Sequence, residues 1–427
     1  MNLLIADARL LDPRDARGES RVHVLIRDGV ISELTEGKRP AADRVIDAAG
    51  RLLSPGWVDL RCWVPDPGFE HRDDVETATR AAAAGGWTAI ATLPNTMPVT
   101  QTKDLIVARR AQGEQTVTQV LPLAAVSVDT AGERITEMLD LHHHGAAAFS
   151  DGLRSIQSAD LLLKTLLYLQ PFGGLLMNRA EDTTLTRFGT MHEGIQSTML
   201  GLRGRPSLAE ETRVARDLDL LAYAGGRLHF SVVSTARTVA MIRAAKARGL
   251  DCTCDVAAHQ LAFDDTALST FDTNYKVNPP FRRPEDRKAL REGLADGTID
   301  AIVSDHQPHE PEGKALEFDG AEFGITGLET AFAVANEHAG LTPVQLVEKF
   351  AVAPRRLLGL PEARLAVGQP AALTLFDPDL RWTFDRTFSR SRNTPFLGKE
   401  MKGRALAVVR GSRWYEDAAA LARLNEA

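Results

Sequence analysis

The chain has 427 residues, 44% hydrophobic and 25% charged, enough for one large domain and a smaller one with separate cores. Its net charge of −7 argues against a nucleic-acid or anionic-membrane partner, and no apolar run reaches the roughly 18 residues of a spanning helix. Three cysteines (Cys62, Cys252, Cys254) are too few for a disulfide framework or a zinc knuckle, so a reducing, cytoplasmic setting is expected.

Residues 1–53 read as short strands ("NLLIADARLL", "RVHVLIRDG", "VISELTEG", "RVIDAAG") divided by Gly, Pro and Asp turn signals. The opening "MNLLIADARLLDPRD" places Asp7 inside its apolar run and lacks a basic flank, unlike a signal peptide. The same texture returns in "PAALTLFDP" and "GRALAVVRGSRWYED". Residues 1–53 and 365–427 are therefore expected to form one small β-sandwich domain from both chain ends.

Residues 54–364 alternate apolar runs with helical stretches. Eight buried strands are predicted at 57–63, 88–93, 118–125, 146–150, 174–177, 228–233, 252–256 and 300–304. Between them, "DDVETATRAAAAGG" closes on Gly85, and "SLAEETRVARDLDLLAYAGG" offers Ser207 as N-cap, Glu210 three residues on, and Gly225 at its end. Such alternation predicts an α/β chain with a parallel sheet, and the count of eight predicts a (β/α)8 TIM-type barrel. An open doubly wound sheet is the alternative.

In a barrel of this kind, chemistry belongs at the C-terminal strand ends. Those places hold Arg61 and Trp63 after strand 1, Asn95 after strand 2, and Asp151 after strand 4. Strand 5 leads to Asn178 and Arg179, strand 6 to "VVST", and strand 8 to Asp305, His306 and His309.

Seven segments, "PGWVDL…DPG", "AGGWTAIATLPNTMP", "VNPPFR", "SDHQPH", "GITGLET", "PAALTLFDP" and "SRNTPFLGK", resemble in order those of the dihydroorotases of the amidohydrolase superfamily. The resemblance spans nearly the whole chain. It implies a barrel with a small β domain and a reversible opening of the cyclic amide of dihydroorotate to carbamoyl aspartate by zinc-activated water. It also implies where the family's functional residues fall. The His-x-His of the first strand and the arginine two residues later fall on Arg61, Trp63 and Pro65, and two further histidine ligands on Arg179 and Val232. The family's "TDDG" shortens to "SDG", which puts its second aspartate on Gly152 unless a gap moves Asp151 there. Asp305 matches the metal-binding aspartate that carries the proton, and Asn95, Asn278 and His309 match substrate-contacting positions.

Zinc needs nitrogen, sulfur or oxygen lone pairs, and a guanidinium has none to give. Arg61 and Arg179 thus remove two ligands and bring fixed positive charge, while Trp63 and Val232 supply no donor. Asp305 alone cannot hold a catalytic metal, and without one nothing lowers the pKa of a bound water. No metal or cofactor is therefore expected, and Asp305, Asn95, Asn278 and His309 read as vestigial. The two arginines, converging from strands 1 and 5, are expected to pair with Asp305, the alternative being that both point to water in a wide mouth. Among other candidates, His142, His143 and His144 read as a solvated helix end, His229 as lying at the wrong end of its strand, and His259 and the three cysteines as structural.

The resemblance implies a catalytically silent relative in pyrimidine biosynthesis that serves, in a homo- or hetero-oligomer, as a structural partner of aspartate transcarbamoylase. The alternative is a cyclic-amide hydrolase with an altered or metal-poor site. A third reading is a small-anion binder using Arg61 and Arg179. The terminal "DAAALARLNEA" reads as a surface or docking helix.

Overall fold

The structure is a computed structural model that describes residues 2–15 and 20–426. Eight parallel strands follow the predicted order: Trp57–Cys62, Trp87–Thr92, Gln119–Ala124, Ala148–Phe149, Leu175–Asn178, Arg227–Phe230, Cys252–Ala257 and Ala301–Val303. Each is bonded to the next, and the sheet curls until its first and last strands meet. There Cys62 bridges His306, and Trp63 N–H donates to the His306 carbonyl at 2.8 Å. The expected (β/α)8 barrel is present as a nearly closed ring.

Alternation along the strands separates two apolar layers. Val58, Leu60, Ala89, Ala91, Leu121, Leu123, Leu175, Met177, Ala301 and Val303 fill one cluster, inside the ring. Their neighbours Trp57, Trp87, Ile90, Val120, Leu176 and Ile302 belong to the other, against the surrounding helices. Cys62, Cys252 and Cys254 sit in this outer layer as free thiols, and burial pushes all three up, Cys252 to about 11. They are core residues, as alternation predicts.

Local signals account for much of the helical boundary. Asp74 caps Val75–Ala84 through the Thr77 N–H, and Gly85 closes it on the Ala81 carbonyl. The helix Leu208–Ala224 ends at Gly225 with φ +72°, as predicted, but Ser207 accepts no capping bond. Its expected partner Glu210 turns instead to the end of strand 6, where it accepts from the N–H groups of Ser234 (2.9 Å) and Thr235 (3.1 Å). A buried carboxylate gains more from two otherwise unpaired backbone donors than from a solvent-side cap.

The strands of the two chain ends form one hydrogen-bonded sheet. Leu52–Pro55, which leads directly into the first barrel strand, pairs on one side with Asn2–Leu10 and on the other with Ala372–Thr383. Among the described residues no helix is long and apolar enough to cross a membrane.

Candidate functional site

The residues flagged at the strand ends do gather at one end of the barrel, but as a self-satisfied polar network. Arg61 and Asp305 are joined across the closing seam, Nε donating to Oδ1 at 2.7 Å, with side chains only 1% and 2% exposed. Gln307 Nε2 donates to the same oxygen at 2.9 Å, and the Arg61 guanidinium also reaches the Gly152 carbonyl at 3.4 Å. Burial makes an unpaired charge costly, so each partner requires the other.

The second half of the expected arrangement is corrected. Arg179 does not bond Asp305; its Nη2 lies 2.8 Å from Glu181 Oε2 and donates to the Leu153 carbonyl at 2.7 Å. Glu181 is the hub that sequence reasoning missed. It also pairs with Arg205 and accepts from Thr186 Oγ1 (2.6 Å) and Asn278 Nδ2 (3.1 Å). Burial works to raise this carboxyl, but Arg179 and Arg205 outweigh it and hold it down at about 2. Arg205 arrives on a two-stranded excursion, Met191–His192 with Gly204–Arg205, whose segments carry too few residues for a periodic signal. Arg282 closes the array, donating to Ser234 Oγ (3.0 Å) and the Arg205 carbonyl (2.9 Å).

The three expected substrate contacts are all engaged within the protein. Asn95 accepts from Leu153 N–H at 2.8 Å, donates to the Asp151 carbonyl at 3.1 Å, and receives Trp63 Nε1 on its own carbonyl at 2.8 Å. Asn278 is held on Glu181. His309 Nε2 lies 2.8 Å from the Phe323 carbonyl, and burial, with Lys314 and Arg72 near, pulls this imidazole down to about 4.

The aspartate of "SDG" is engaged by the loop after strand 3. Asp151 accepts from Ser127 N–H (2.9 Å) and Oγ (2.5 Å), while Gly152 takes φ +63°. A Cβ on Gly152 would stand 1.9 Å from Asn95 Oδ1. Val232 is buried at φ +52°, its N–H held by Asp255 Oδ1 at 2.5 Å. His229 and His306 are buried against Asp255 (2.8 Å) and Asp73 (3.3 Å), and desolvation brings His259 down to about 4.

This donor set does not fit a zinc centre. Among the described residues no three His, Cys, Asp or Glu side chains are grouped to hold a metal ion, and the Arg61 guanidinium occupies the Asp305 carboxylate. The cavity bounded by Arg179, Glu181, Val232 and Asn278 measures about 20 Å³, room for about one water.

Comparison with known proteins agrees with the barrel fold. The dihydro-orotase-like family matches residues 50–238, and the amidohydrolase family matches residues 188–413. The chain is 43% identical to a dihydroorotase of Pelotomaculum thermopropionicum, over 97% of this chain and 98% of that one. It is also 43% identical to a dihydroorotase of Anaeromyxobacter dehalogenans, over 96% and 97%. Among solved structures, an L-hydantoinase (dihydropyrimidinase) from Arthrobacter aurescens superposes with a TM-score of 0.84 at 25% identity, covering 96% of this chain and 95% of that one.

Proposed function

Because the chain belongs to the dihydroorotase family of the amidohydrolases, we propose that it is a non-catalytic member of that pyrimidine-pathway family. In this reading it is a structural partner of aspartate transcarbamoylase, assembled with it in a cytoplasmic hetero-oligomer. One observation carries the proposal: the Arg61 guanidinium sits on the Asp305 carboxylate at 2.7 Å. Ring opening of a cyclic amide requires an activated water and a carboxylate free to move a proton. Here Asp305 Oδ1 already accepts two donors, and the cavity bounded by Arg179 and Val232 holds no substrate-sized space. Arg179, Val232 and Gly152 close the remaining places with charge, hydrocarbon and backbone.

The test has two arms. Purified protein is expected to contain well under one zinc per chain and to show no interconversion of dihydroorotate and carbamoyl aspartate in either direction. Co-expressed aspartate transcarbamoylase is expected to co-purify with it and to lose assembly or activity when the chain is withheld. Stoichiometric zinc with turnover would sink the proposal.

A second reading, a cyclic-amide hydrolase with an altered centre, draws support from the 43% identity to chains named dihydroorotase and from the presence of Asp305. Turnover that survives rigorous metal removal would favour it.

A further inference from the structure

The small sheet ends in a free edge. Its last strand, Arg413–Glu416, folds back on Glu400–Arg410 through a tight turn at Gly411 (φ +58°) and Ser412, and no strand lies beyond it in the sheet order. The register sets Arg413 opposite Arg410 and Tyr415 opposite Val408, and Asp417 N–H donates to the Leu406 carbonyl at 2.8 Å. Bonds in an antiparallel ladder return at every second residue, so Arg413, Tyr415 and Asp417 turn their backbone groups inward. Those of Trp414 and Glu416 point the other way, and among the described residues nothing in the chain bonds to them. Alongside this edge lies a cleft of about 460 Å³, walled by Glu76, Thr79 and Arg80 of the helix Val75–Ala84. No strand of this chain fills it.

We propose that a second copy of this chain docks here, the two Arg413–Glu416 strands pairing antiparallel about a two-fold axis. With Trp414 opposite the partner's Glu416, the outward N–H and C=O groups of both residues are satisfied in both copies. The same register sets Arg413 opposite the partner's Asp417, and Tyr415 opposite the partner's Tyr415. Those are the non-hydrogen-bonded places, where side chains approach most closely, and opposite charges and paired aromatic rings are favourable there. Arg413 is exposed and forms no ion pair among the described residues, while Asp417 meets Arg404 and keeps 12% exposure. Sliding the pairing one way would set two Glu416 side chains against each other; sliding it the other way would draw in Ser412, which belongs to the turn. A strand that begins with a cation and leads into carboxylates is complementary to its own antiparallel copy, which is why the occupant is this chain. The interface does not rest on the scaffold reading and stands or falls by its own test.

That test is sedimentation equilibrium of the full chain over a concentration series, without aspartate transcarbamoylase, with hydrogen exchange followed at the Trp414 and Glu416 amides. A monomer–dimer equilibrium is expected, with both amides becoming protected as the dimer forms. Glu416→Pro removes an N–H that bonds nothing within the chain, a place where an edge strand tolerates proline, and is expected to weaken the dimer at least tenfold. Glu416→Gln keeps that N–H and should associate like the parent. Arg413→Glu, at an exposed position, sets like charges against the partner's Asp417 and should also weaken association about tenfold. A monomer at every concentration, or a dimer equally tight in Glu416→Pro and Arg413→Glu, overturns the proposal. Protection of the two amides only after aspartate transcarbamoylase is added would give the edge to that protein, and overturns it too.

Discussion

Arg61 and Asp305 bind each other across the seam where the first and eighth barrel strands meet, Nε to Oδ1 at 2.7 Å, with almost no exposure on either side. Removing one partner of such a pair strands the other charge in a low-dielectric interior, at about 3–5 kcal/mol. Arg61→Met is expected to lose stability of that order in urea unfolding at pH 7. The double variant Arg61→Met/Asp305→Asn should recover most of it, since asparagine also tolerates the φ of +44° at this position. A single variant within about 1 kcal/mol of the parent would show that the pair is not what holds the seam.

Structural metals contribute their binding energy to folding, and chelators then unfold the protein. No such contribution is expected here. Prolonged dialysis against a chelator should leave the unfolding temperature within about 1 °C of the untreated protein. A fall of several degrees, reversed by zinc, would reveal a metal that the Arg61–Asp305 pairing is expected to exclude.

Glu181 gives a pH signature of defined sign. Its carboxyl is held at about 2 in the folded protein against an ordinary value of 4.5, burial being outweighed by Arg179 and Arg205. A depressed folded pKa contributes stability that is present above about 4.5 and is lost as pH falls towards 2, about 3 kcal/mol in all. Glu181→Gln should therefore be much less stable than the parent at pH 6, and the gap should close by pH 2. A gap that stays constant across this range would show that the charge on Glu181 is not the source.

Gly152 offers a steric test. Alanine there must accept φ +63° and place its Cβ against Asn95 Oδ1, so Gly152→Ala is expected to cost at least about 2 kcal/mol. In an Asn95→Ala background, which has already lost the Asn95 hydrogen bonds, the added cost of Gly152→Ala falls to the backbone strain, about 1 kcal/mol. Non-additivity in that direction is the expected readout of a double-mutant cycle.

The barrel was legible because each of its strands is a short apolar run fenced by turn or helix signals, and the eight runs occupy the expected order. The Arg61–Asp305 pair was legible for a different reason: both residues stand at the ends of strands that must meet if the ring closes. Arg179 was not, because its partner Glu181 lies two residues along the same loop, where sequence separation carries no information about direction. Arg205 and Arg282 come from irregular loop segments without a repeat of 2 or 3.6 residues, so nothing in the pattern announces that they converge on the site. Glu210 shows the converse, a residue whose local capping pattern was plain but whose side chain was claimed by a tertiary contact.

The pairing of Leu52–Pro55 with both Asn2–Leu10 and Ala372–Thr383 has a consequence for biosynthesis. The strand that leads into the barrel is made well before its second neighbour, Ser54 and its partner Thr374 being 320 residues apart. Until the ribosome has passed Phe376, one edge of that strand is unpaired, the condition that invites association with other chains. Completion of the small sheet therefore waits for Ala372–Thr383, long after Leu52–Pro55 has been made. A chain truncated before Ala372 would leave that edge of Leu52–Pro55 without its partner strand.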